Sequence, residues 1–148
     1  MPRHIPVPRA MAVLLSVTLV VTGCASTGST GTMRMYVDTF DVVWNAALAA
    51  VGSLGARRDF DSRSTGVILA SIGLPEAGGR VQLEIEVRAT SRDPVMSSGT
   101  DVTVAATIAD GREPDPDLTA ALRQIEARYL DLLDAHLNEM RTGGRRPF

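Results

Sequence analysis

The chain has 148 residues, about what one domain requires at roughly 100–200 residues per domain. Hydrophobic residues make up 45% and charged residues 22%, an ordinary globular balance that excludes wholesale disorder and fibrous repeats. The 15 basic residues, all arginine, stand against 17 acidic ones for a net charge of −2, so the basic stripe of a nucleic-acid-binding domain is missing.

The first 23 residues read as an export signal. Arg3 and Arg9 give a basic start, an apolar run from Ala10 to Val21 follows, and the segment closes on Thr22-Gly23-Cys24. The 12-residue run is well short of the ~20 that a permanent membrane helix needs. Val21-Thr22-Gly23-Cys24 resembles the lipobox of bacterial lipoproteins: an aliphatic residue, a small residue, Gly or Ala, then cysteine. That resemblance implies cleavage before Cys24, a diacylglycerol on its sulfur and an acyl chain on its new amino group. Cys24 is the only cysteine, so no internal disulfide competes for it. Ala25, which is not Asp, resembles the residue that follows the cysteine in outer-membrane-destined lipoproteins. Residues 24–32 are small and polar after the cysteine, the composition of a flexible tether.

Thr32 to Val37 alternates, with Met33, Met35 and Val37 on one side, and reads as a short edge strand. Phe40, Val43, Trp44, Ala47, Leu48 and Val51 then recur at helical spacing. Asp38 or Thr39 can cap the start of that helix and Gly55 can stop it. Trp44, the only tryptophan, reads as a core anchor. Four strands follow: 57–61, 67–72, 81–88 and 101–108. In 81–88, Val81, Leu83, Ile85 and Val87 face one way and Gln82, Glu84, Glu86 and Arg88 the other, the mark of a sheet wet on one side. The Pro/Asp loop Asp110–Asp117 ends on an aspartate that can cap a long last helix. Leu118, Ala121, Leu122, Ile125, Tyr129, Leu132, Leu133, His136 and Met140 trace one face of that helix, about 33 Å long at 1.5 Å per residue.

The chain thus divides into a leader (1–23), a tether (24–32), an α+β domain (33–140) and a disordered tail (141–148). The expected domain is a four-stranded antiparallel sheet with two helices packed on one face, in the order β-α-β4-α. Val43-Trp44-Asn45-Ala46-Ala47, the Gly55 stop and Gly66-Val67-Ile68 resemble the helix-grip modules of BamC-type outer-membrane assembly lipoproteins. There a tryptophan-bearing helix leads to a glycine and then to strands joined through a Gly-x-Ile turn.

Chemistry-bearing sets are sparse. His136 is the one histidine beyond the leader, and no residue in the sequence pattern supplies it with a nucleophile. Asp110, Glu113, Asp115 and Asp117 lack the ligand spacing of a calcium loop, and zinc spacing is absent. Glu84 and Glu86 share a strand face about 7 Å apart, a spacing of interest for sugar chemistry but without a cleft or aromatic platform. The sequence therefore points to a non-enzymatic lipoprotein without metal or cofactor, anchored on the extracytoplasmic side of the cell or outer membrane. Its expected partners are the membrane, through the lipid, and another envelope protein, with no nucleic acid; Glu84, Glu86 and Arg88 are the candidate docking residues. The alternative is a carrier holding a small apolar ligand between the last helix and the sheet.

Overall fold

In a computed structural model, the described residues are 31–74, 79–90 and 99–143. The leader, Cys24 and most of the tether lie outside them, as does the tail beyond Gly143. The elements are β1 (Thr32–Tyr36), α1 (Phe40–Ser53), β2 (Arg57–Ser62), β3 (Val67–Leu74), β4 (Gly79–Thr90), β5 (Gly99–Ile108) and α2 (Pro116–Gly143).

All strand pairs are antiparallel, and the sheet runs β1-β5-β4-β3-β2. The sheet has five strands where four are expected, because the short first strand joins it. β1 does so by pairing with β5, Thr32 opposite Val104 and Tyr36 opposite Thr100. The other three pairs are hairpins between consecutive strands, where alternation and intervening turn residues are visible locally.

One face carries Ile68 and Ala70, Val81 through Val87 at alternate positions, and Val102, Val104, Ala106 and Ile108, all buried. Both helices cover it, α1 against β2, β4 and β5, and α2 against β1 and β5. Ala46, Ala47 and Ala50 let α1 approach α2 closely, and the Tyr129 hydroxyl of α2 donates to the Ala47 carbonyl at 3.3 Å. Trp44 is 3% exposed and stacks on Phe40 with centroids 5.8 Å apart.

Thr39 holds the N-cap position of α1 but makes no side-chain cap bond. At the other end Gly55 has φ +77°, with its N–H on the Gly52 carbonyl and the Ala56 N–H on that of Val51. That pair of bonds is a Schellman closure, and the positive φ explains the glycine. Gly66, in the β2–β3 turn, has φ +70°, and a Cβ there would stand 2.1 Å from the Val87 carbonyl oxygen. No side chain fits.

Two expectations for α2 need correction. Its cap is Asp115, not Asp117: the Asp115 carboxylate accepts the Leu118 N–H at 2.8 Å. Pro116 then takes the first helical position, where its fixed φ suits the helix and its missing N–H costs nothing. At the far end α2 continues through Gly143, so residues 141–143 belong to the helix and not to a tail. Arg141 is held there by an ion pair with Asp38. The buried stripe also differs from the expected one: it runs Leu122, Glu126, Tyr129, Leu130, Leu133, Leu137, with Ile125 and Leu132 only partly buried. Met140 is 43% exposed.

Candidate functional site

The sheet face opposite the helices is where the sequence places its candidate docking residues, and the registers bring them together. One row across it reads Met33, Thr103, Glu86, Val67, Ser62; the next reads Ala105, Glu84, Leu69, Phe60. Directly opposed side chains on such a face lie about 4.5–5.5 Å apart, so each row is a continuous surface. Glu84 and Arg88 are exposed and Glu86 is half-buried, with Arg88 Nη2 2.8 Å from Glu86 Oε2. The pair is exposed enough for water to screen it, and its contribution is small.

The face is less uniformly polar than the alternation in β4 and β5 suggests. β3 is apolar on both sides, so Val67 and Leu69 emerge beside the glutamates, and Phe60 follows at 51% exposure. At the opposite edge β1 adds Met33 and Met35. An acidic centre is thus flanked by two apolar margins. The β2 edge carries a bulge between Arg58 and Phe60, and Arg57 binds Asp59 at 2.8 Å. Ser71 first, and then Arg57, hold the Asp59 carboxyl below its ordinary value.

On the helix side of β1 a charged cluster ties α2 to the sheet. Arg34 Nη1 donates to Asp134 at 2.5 Å and lies 3.6 Å from Asp131. Burial works against the Arg34 charge, but Asp134, Tyr36 and Asp131 outweigh it and leave the guanidinium more basic than usual. Burial, and then Asp134, push the Tyr36 phenol well above its ordinary value.

Glu126 is the residue that the sequence reading misses. It is 2% exposed, accepts the Thr32 hydroxyl at 2.7 Å and accepts the Ala106 backbone N–H at 3.0 Å. Pairing of β1 with β5 ends at Thr32–Val104, so the carboxylate takes over the edge donor of β5 just past that point. Its position four residues after Leu122 and three before Tyr129, inside an apolar stripe, is the signal that a pattern search for hydrophobics passes over.

His136 does acquire a neighbour that the sequence pattern does not supply. Ser53 Oγ lies 2.8 Å from its Nε2, and Glu139 Oε2 lies 3.2 Å from its Nδ1. This is a hydroxyl–imidazole–carboxylate chain, but it stands at the C-terminal end of α1, where helix carbonyls gather. The N–H groups of Leu54, Gly55 and Ala56 at that turn donate to Ala50, Gly52 and Val51. An oxyanion there would meet carbonyl oxygens instead of free donors, which opposes acyl transfer. The chain works as a clasp between the two helices.

Two carboxylates of the acidic loop accept nearby backbone N–H groups. Asp115 caps α2, and Asp110 accepts the Arg112 N–H at 3.2 Å. Among the described residues no group of three or more His, Cys, Asp or Glu is placed to hold a metal ion. Along most of α2, Tyr129, Leu130, Leu133 and Leu137 pack against the sheet, each at most 1% exposed. At its N-terminal end Leu118 and Ala121, with Leu74 and the charged Arg112, Glu113, Asp115 and Asp117, line a cavity of about 510 Å³. No described helix is long and apolar enough to cross a membrane. Compared with known protein families and with curated proteins, the chain matches none.

Proposed function

We propose that the protein is a bacterial envelope lipoprotein whose domain is a non-enzymatic docking module, related in plan to the helix-grip modules that its sequence resembles. Cys24, at the end of the lipobox-like Val21-Thr22-Gly23-Cys24, carries the lipid. The domain stands on the extracytoplasmic side, held to the cell or outer membrane by that anchor. The observation that carries the docking role is the asymmetry of the sheet. One face is sealed under two helices, and the other presents Glu84, Glu86 and Arg88 between apolar margins. The closed packing of Tyr129, Leu130, Leu133 and Leu137 under α2 favours docking over carriage of an apolar ligand. The cavity at the N-terminal end of α2 is lined by Arg112, Glu113, Asp115 and Asp117, charged groups ill suited to such a ligand. A tethered domain also suits surface recognition, since anchoring raises its local concentration around membrane-bound partners.

The test is combined charge reversal, Glu84→Lys with Glu86→Lys. Substitution at the exposed Glu84 changes stability by about 0.5 kcal/mol or less, and loss of the pair between the half-buried Glu86 and the exposed Arg88 by about 0–1 kcal/mol, so the domain stays folded. Crosslinking in the native envelope followed by mass spectrometry is expected to lose the protein's main crosslinked neighbour while anchoring is unchanged. The same neighbour captured in the same yield would refute the docking face.

A further inference from the structure

The approach to the domain is as specific as its open face. Met33, Met35 and Val37 occupy alternate positions near the start of the described residues and are 60%, 57% and 80% exposed. Across the sheet Met33 faces Thr103 and Met35 faces Asp101, so neither has an apolar cross-strand neighbour to bury against. Met140, one residue before the Arg141 that binds Asp38, is another exposed apolar side chain at this end of the molecule. The entry of the chain into β1 is fixed: Thr32 is bonded to Glu126, and a Cβ on Gly31 would come 2.7 Å from the Val104 carbonyl oxygen. Only seven residues, Ala25 to Gly31, separate Cys24 from β1. Even fully extended they reach about 25 Å.

We propose that this β1 edge, through Met33, Met35 and Val37, rests on the bilayer that holds the lipid and thereby sets the direction in which the open sheet face points. The proposal rests on acylation of Cys24. The opposite edge is unsuited to the same contact: β2 exposes Arg57, Arg58, Asp59 and Asp61. It lies four strand spacings away, about 19 Å. Laying the whole face flat on lipid would strip water from Glu84 and Glu86, whereas standing on the β1 edge leaves them hydrated. Three side chains alone would bind a membrane weakly. The short tether keeps them at the interface, so a weak contact is enough to orient the domain. Arg34 and Arg141, both partly exposed at this edge, keep their charges among Asp131, Asp134 and Asp38, so the contact is chiefly apolar.

The experiment uses the full acylated chain, extracted and reconstituted in vesicles of phosphatidylethanolamine and phosphatidylglycerol. Met35→Cys and Phe60→Cys are made separately and labelled with a nitroxide, the Cys24 thiol being occupied by its lipid. Both sites are on the surface, and circular dichroism confirms that each variant is folded. The label at position 35 is expected to be shielded from a water-soluble nickel chelate severalfold more than the label at 60, and to collide more with membrane-dissolved oxygen. Equal access at the two positions, or shielding of both, would overturn the edge-on contact. Intact mass separates the two ideas. An acylated Cys24 with an aqueous position 35 removes this proposal alone, and an unmodified Cys24 removes the anchored reading along with it.

Discussion

Glu126 shows how a single side chain can finish a sheet. Its carboxylate satisfies a β5 backbone donor that no strand among the described residues reaches and also holds the first residue of β1. Glu126→Ala would leave the Ala106 N–H buried without a partner, at a cost of about 1–3 kcal/mol. Glu126→Gln keeps an acceptor for that N–H and should lose less than half as much. Denaturant midpoints for the two variants decide this, and equal losses would show that charge matters more than the hydrogen bond. The residue was hidden in the sequence for a physical reason: a glutamate on a helix is normally solvated, and only the incomplete β1–β5 pairing makes a buried one useful. Gly55 and Gly66 were readable, because a stop and a turn require positive φ whatever surrounds them.

At the scale of elements, legibility follows the range of the forces involved. β4 and β5 declare themselves by alternation, and α1 by its apolar period closed with Gly55. What escaped was non-local. β1 finds its partner about seventy residues away, a pairing that no local pattern encodes, and with it the fifth strand of the sheet. Glu84, Glu86 and Arg88 lie on the uncovered sheet face that alternation predicts, but the apolar margins beside them were not seen, since Phe60 and Met33 reach that face from the two edge strands. For α2, proline overturned the expected cap: Pro116 takes the first helical position, so Asp115, which precedes it, caps the helix in place of Asp117. Asp115→Ala should therefore cost about 1 kcal/mol, and Asp117→Ala, which loses only a favourable charge in the first turn, about 0.3–1 kcal/mol. Thermal denaturation of the two variants side by side checks the assignment, and a larger loss at 117 would reverse it.

The whole molecule has two tyrosines, and both are in its interior. Burial, and then Asp134, raise the Tyr36 phenol, while burial, and then Tyr36, raise that of Tyr129. A phenol raised on folding keeps its proton in the native state, so its contribution is whole below about pH 10 and falls as the pH climbs past that unfolded value. Tyrosinate absorbance should hence stay flat through pH 10 in the folded protein and rise only together with loss of circular dichroism. A separate titration near pH 10 with the fold intact would place at least one phenol in water.

On the proposed reading, the domain's position in the cell depends on one sulfur atom, that of Cys24. Detergent phase partitioning of the wild-type protein beside Cys24→Ala addresses that dependence directly. The account predicts that the wild type enters the detergent phase and that the variant, lacking the lipid acceptor, accumulates unprocessed or soluble. Identical partitioning of the two would contradict it.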